Sequence, residues 1–198
     1  MDRQIQKLFL AKKTLEMSYI YIQDNFFEKN IFKEIKNKIN TYSYSPPPLK
    51  RIKDYGGCYW FEHNLPRGCD VQKVVIKTLQ EKMNLSVDED FKSDDTDVVE
   101  CESKFIMSNA QDGARPHTDP CQLQCLVFIK GEEIIKNGTL FFDDAQVGKD
   151  KKFNINTHVG FKENRGIVFS SNNLHAPAQF SGGSWRYCLA NFFHLKNN

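Results

Sequence analysis

The texture of the chain after about residue 98 most constrains its fold. Six short runs follow one another there: "VVECESKFIMS", "QLQCLVFIK", "GTLFFDD", "KKFNINTHVGF", "RGIVFSS" and "SWRYCLANFFHL". Each is rich in β-branched and aromatic residues, which suit a pleated, half-buried surface. Turn-formers divide them, in "NAQDG", "KNG", "ENRG", "SNN" and "SGG". Glycine, asparagine and aspartate reverse a chain at low steric cost, so these runs predict closely spaced strands. The 16 phenylalanines fit a β-rich core with aromatic packing.

The first half has a different period. "MSYIYIQDNF" predicts a short strand, and Asp24 or Asn25 is placed to cap a helix after it. Phe27, Ile31, Ile35 and Ile39 then fall four apart between lysines and glutamates, which gives a helix one buried face. "SPPPLK" ends that helix. A second helix is predicted over "DVQKVVIKTLQEKMN", with Val71, Val74, Val75, Leu79 and Met83 on one side and Asp70 as its cap. Residues 1 to 16 also look helical, and "SVDEDFKSDDTD" is expected to be an exposed loop. Helices followed by many strands predict a mainly β fold with bracing helices: a jelly roll built as one domain over 1–198. Helical support is expected over about 1–95, and the β-helix core over about 96–195.

Composition excludes several classes. A formal net charge of +2 gives no strong pull toward nucleic acid or a membrane surface. No apolar run approaches the roughly 18 residues of a membrane span. The opening residues are broken by charges, unlike a secretory leader. The six cysteines are scattered without a zinc-site pattern. A reduced, cytoplasmic protein is expected.

One constellation carries chemistry. In "ARPHTDPCQLQCLVFIK", His117 and Asp119 stand two apart at the mouth of a predicted strand. Residues i and i+2 of a strand share a face, so the pair can aim at one point. Imidazole and carboxylate together suit iron(II), manganese or zinc. The third ligand expected is His175, in "RGIVFSSNNLHAPAQF", where a polar turn returns the chain beside the first pair. Two histidines and a carboxylate on one face of an octahedral ion leave three positions open. His63 and His158 are read as structural or surface residues. Eleven positions past His175 comes Arg186, between Trp185 and Tyr187 in an apolar strand. Facing inward, it needs an anionic partner, and its fork suits the carboxylate of a small diacid.

These residues resemble the iron(II)- and 2-oxoglutarate-dependent oxygenases, specifically the prolyl-hydroxylase-like branch. The resemblance rests on "HTD" at 117–119, "NGTLFFDD" at 137–144, "NRGIVFSSNNLHAP" at 164–177 and "WRYCLANFF" at 185–193. It implies a double-stranded β-helix that holds Fe(II) by His117, Asp119 and His175. It also implies 2-oxoglutarate as cosubstrate, bound through Arg186, with O2 as oxidant and ascorbate as reductant. Hydroxylation of a peptidyl, prolyl-type substrate is the activity so implied, with a small molecule or free amino acid as the alternative substrate. Two departures stand out. Cys188 occupies a place where many relatives carry serine or threonine. The strand "KFIMSNAQDG" lacks the tyrosine that touches the diacid in many of them. Tyr59, Tyr187 and Asn191 are candidates to replace these contacts.

The nucleic-acid demethylase branch shares the metal pattern, but usually has a second arginine that "RYCLANFFHLKNN" lacks. A non-catalytic jelly-roll binding module and a zinc hydrolase are the remaining alternatives. The latter has no need of Arg186.

Overall fold

A computed structural model describes residues 19–48, 60–95, 98–109, 116–134, 136–147, 150–178 and 185–196. The helix expected over residues 1–16 lies outside them. Nine strands and two helices are described, beginning with β1 (Ile20–Gln23), α1 (Lys29–Lys38), β2 (Trp60–Asn64) and α2 (Asp70–Met83). The later elements are β3 (Glu102–Ser108), β4 (Leu123–Lys130), β5 (Thr139–Val147), β6 (Asp150–Val159), β7 (Gly166–Ser170), β8 (His175–Pro177) and β9 (Arg186–Phe193). A six-stranded sheet has the order β1-β7-β4-β9-β3-β2, and a three-stranded sheet the order β6-β5-β8. Their strand pairings are antiparallel throughout. The fold is a jelly roll braced by helices.

The two faces of the large sheet have different partners. Leu123, Cys125, Val127, Val168, Leu189 and Phe193 share a cluster with Ile35, Ile39, Val75 and Leu79 of the helical part. Phe128, Ile167, Phe169 and Cys188 face the other way and pack on Phe141 and Val159 of the small sheet. The strand alternation therefore separates a helix-covered face from a roll interior.

Both predicted helices form, with other starts than expected. α1 begins after Glu28, which makes no side-chain cap bond. Asn25 cannot serve as the cap because it adopts a left-handed φ of 53°. Asp24 is held instead by Arg165 and Lys162. α2 starts after Cys69, which leaves Asp70 in its first turn, where a carboxylate complements the helix dipole. The stretch before residue 95 also supplies β1 and β2, both edges of the large sheet, so it is not purely helical support.

A turn before β7 joins the helical layer to the roll. Asn164, at a φ of 59°, receives the Phe27 N–H on Oδ1 at 2.9 Å and donates Nδ2 to the Phe27 carbonyl at 2.8 Å. Its backbone bonds Phe128 and Phe26. Asn164→Ala loses both side-chain bonds and strains the backbone, for a cost of about 2–4 kcal/mol. Asn164→Gly keeps the conformation and should cost less. Equilibrium urea unfolding of the two variants checks the order.

Candidate active site

The first metal-ligand candidate is positioned by a bridge, not by a regular strand. His117 and His175 exchange both backbone hydrogen bonds, each at 2.9 Å. Such a reciprocal pair fixes both residues opposite one another. The chain then turns, and the Asp119 N–H donates to the Ser171 carbonyl at 3.2 Å before β4 begins at Leu123. The expected placement of His117 and Asp119 on one strand is thus corrected. His117 is an isolated bridge residue and Asp119 lies in the loop after it. Pro120 and Cys121 turn the chain there, and a ladder cannot run through.

The three side chains nevertheless converge. One ligand atom from each of His117, Asp119 and His175 falls within 4.8 Å of the others. His175 is buried, with its ring edge-to-face on Phe169 at 4.8 Å. Its Nδ1 lies 2.9 Å from the Asn173 carbonyl. A carbonyl only accepts, so Nδ1 carries a proton, and in the neutral ring Nε2 keeps a lone pair. That nitrogen faces Asp119 Oδ2 at 3.2 Å. Oδ2 is buried and makes no hydrogen bond among the described residues. At this distance the two atoms are held together either by a proton on Nε2 or by a metal ion between two lone pairs. Cis donors roughly 2.1 Å from one six-coordinate ion stand roughly 3 Å apart, so the donor set fits a divalent metal. Burial pushes the Asp119 carboxyl up, but His175, His117 and Lys104 outweigh it and hold the group below the usual carboxylate range. Cys121, nearby, is outside that ligand group: its Sγ lies 2.9 Å from Ser171 Oγ, and burial raises its thiol to about 12.

Arg186 opens β9 on the interior face. It is 6% exposed, donates Nη1 to the Gly138 carbonyl, and lies 5.8 Å from the Phe128 ring centre. The bond to Gly138 crosses from the large sheet to the start of the small one. Gly138 must lack a side chain, because a Cβ there would stand 1.9 Å from the Val159 carbonyl oxygen. Asn137 before it is buried and donates to the Glu132 carbonyl. The interior apolar cluster thus has His175 against Phe169 and Arg186 against Phe128.

The candidates for the missing cosubstrate contacts lie elsewhere. Tyr187 and Asn191 are odd-numbered residues of β9 and point to the helix-covered face, opposite Arg186. Tyr187 packs edge-on to Tyr44 with ring centres 6.0 Å apart. Asn191 accepts from Ser103 at 2.8 Å and donates to the Cys125 carbonyl at 2.9 Å, so its amide ties the sheet together. The register of β9 therefore corrects both assignments. Tyr59 lies outside the described residues. Cys188 faces the interior but sits among phenylalanines, its thiol pushed up by burial against the pull of Arg186. His63 stacks on Tyr42 at 4.2 Å and His158 is exposed on β6, both away from the triangle.

Lys104 was not singled out by sequence reasoning. It is 4% exposed, with Nζ 3.5 Å from Glu62 and 5.1 Å from the Phe192 ring centre. A lysine at an even position of "ESKFIMS", on the same face as Ile106, was the available signal.

No protein-family model matches the sequence, and no curated protein matches it significantly. Solved structures share the fold. A Trichoplax adhaerens prolyl hydroxylase in complex with a hypoxia-inducible-factor peptide matches at 14% identity and TM-score 0.56, over 98% of this chain and 93% of the other. The viral collagen prolyl hydroxylase of Paramecium Bursaria Chlorella virus-1, complexed with 2OG, matches at 15% identity and TM-score 0.53, over 90% and 97%. HygX from Streptomyces hygroscopicus, with nickel and 2-oxoglutarate bound, matches at 8% and 0.56, over 97% and 87%. The fold is therefore that of the prolyl-hydroxylase-like oxygenases.

A metal that binds only the folded site raises stability by about 2.7 kcal/mol at 100 times its Kd, or roughly 5–10 °C in Tm for a chain of this size. Manganese(II) should produce that rise in the wild type. It should not do so in His117→Ala, Asp119→Ala or His175→Ala, while His63→Ala and His158→Ala respond normally. Differential scanning fluorimetry reads the difference.

Proposed function

We propose that this chain is an iron(II)- and 2-oxoglutarate-dependent dioxygenase that hydroxylates a peptidyl, prolyl-type substrate. The observation that carries the reading is the pairing of a His-Asp-His triangle, with His175 buried and the other two half-buried, with a buried arginine inside one jelly roll. His117, Asp119 and His175 would hold the iron, and Arg186 would take the far carboxylate of 2-oxoglutarate. Iron(II) with 2-oxoglutarate and O2 supplies an oxidant able to hydroxylate an unactivated C–H bond, with succinate and carbon dioxide as co-products.

The protein's own part is positional. The Asn173 carbonyl holds the His175 ring so that Nε2 faces inward. Asp119 brings negative charge to a site where burial strengthens every interaction. Phe141 and Phe169 pack near His175 and exclude water from that side. The Gly138 carbonyl fixes the Arg186 guanidinium, so it is set in place before a diacid arrives.

Hydroxylation of a small molecule is the second reading. It is favoured by the fold shared with HygX, which has been solved with hygromycin B bound. A zinc hydrolase would leave buried Arg186 without a role. Among the described residues no helix is long and apolar enough to cross a membrane. Cys69, Cys101, Cys121, Cys125 and Cys188 are free thiols, which supports the reducing cytoplasm as the working compartment.

Succinate release should require iron(II), be sustained by ascorbate, and stop when zinc or cobalt occupies the site. Faster turnover with zinc would overturn the reading in favour of a hydrolase. Arg186→Ala should weaken 2-oxoglutarate binding by about 2–5 kcal/mol, roughly one and a half to nearly four decades, without changing metal affinity. Lysine should restore only part of this, since it supplies charge without the fork. Calorimetry on the manganese-loaded protein measures both.

A further inference from the structure

Ser108 closes β3 on the interior face. Side chains alternate along this strand: Ser103 and Phe105 turn to the helices, where they contact Gln72 and the main core. Lys104, Ile106 and Ser108 therefore turn into the roll. In the register of β3 against β9, Ser108 is the direct partner of Arg186. Directly opposed residues of an antiparallel pair share a face, with Cβ atoms roughly 4.5–5.5 Å apart.

The hydroxyl is anomalous. Ser108 is 3% exposed, and its Oγ makes no hydrogen bond among the described residues. A serine hydroxyl rotates freely and usually finds a nearby carbonyl, so a buried one left unsatisfied needs an explanation. The other small polar group on this face of β9, the Cys188 thiol, is a weak donor set in an apolar cluster. Beside the buried guanidinium of Arg186 there is thus a hydroxyl that makes no hydrogen bond among the described residues.

We propose that Ser108 is a binding residue for the diacid cosubstrate, its Oγ–H donating to the same far carboxylate that Arg186 pairs with. This rests on the reading of Arg186 given above. A carboxylate has about four acceptor sites, so it takes the arginine fork and a hydroxyl together. The assignment puts a serine from the neighbouring strand in the role that Tyr187 and Asn191, on the far face, cannot fill.

The test is calorimetry on the manganese(II)-loaded protein with 2-oxoglutarate and with 2-oxobutyrate, which lacks the far carboxylate. Ser108→Ala should weaken 2-oxoglutarate binding about ten- to a hundred-fold, as for a lost bond to a charged group. It should leave 2-oxobutyrate binding unchanged, and Ser108→Thr, which keeps the hydroxyl, should recover part of the loss. The ligand-free alanine variant should melt no lower than the wild type, because the hydroxyl makes no bond among the described residues. Equal 2-oxoglutarate affinity in wild type and Ser108→Ala overturns the proposal, as does equal weakening of both ligands. Wild type that binds manganese but not 2-oxoglutarate overturns the reading of Arg186 itself.

Discussion

The site depends on the reciprocal bridge between His117 and His175. These residues are far apart in sequence: His117 is an isolated bridge residue and His175 opens β8. Two hydrogen bonds between their own peptide groups bring the rings to 4.6 Å between centres. The next contacts along the same seam extend the arrangement: Asp119 N–H to the Ser171 carbonyl, and Ser171 N–H to the Gln122 carbonyl. Backbone bonds of this kind do not depend on what fills the site, so the three donors are brought together before any metal is present. β8 is short, but β5 beside it anchors it through Phe141 and Leu140.

Electrostatics inside the roll follow from that placement. Asp119, Lys104 and Arg186 are all ionisable groups set in an apolar interior, where an uncompensated charge is costly. Each has partners within the protein. Lys104 stands between Glu62 and Glu102 at 3.5 and 3.6 Å, longer than a good charge-assisted hydrogen bond. Arg186 has the Gly138 carbonyl, a neutral acceptor. Asp119 has histidines that satisfy it fully only when protonated or metal-bound. An interior optimised for stability alone would carry leucine or methionine at these positions.

The strands after residue 98 were legible because their turn residues and their β-branched runs agree at every step. The two helices were legible from the period of Ile31, Ile35 and Ile39 and of Val71, Val75 and Leu79. Their caps were not, because Asp24 is drawn to Arg165 and Lys162 far along the chain. The convergence of His117, Asp119 and His175 was inferred from spacing and resemblance, although strand pleat was the wrong local reason for it. The facing of β9 was harder to read. Nearly every residue of "RYCLANFF" is buried, so no polar-apolar alternation marks which side faces the interior of the roll. Only the register against β3 and β4 shows that Arg186 and Asn191 point to opposite faces.

That register also explains why a polar residue can be essential to the fold on one side of a strand and reserved on the other. Asn191 spends its amide on Ser103 and Cys125, and Ser103 also receives Gln72 of α2. This closed network holds the helix to the sheet, and its groups have partners within the protein. Ser108 lies on the same strand as Ser103 but on the other face, and its hydroxyl is buried without such a partner among the described residues. Closed networks rigidify a core, whereas a buried donor held ready costs stability until a ligand meets it. The two faces of β3 and β9 thus divide the work. The helix side makes the sheet rigid, and that rigidity lets the roll side keep its arginine, hydroxyl and carboxylate aimed at the interior.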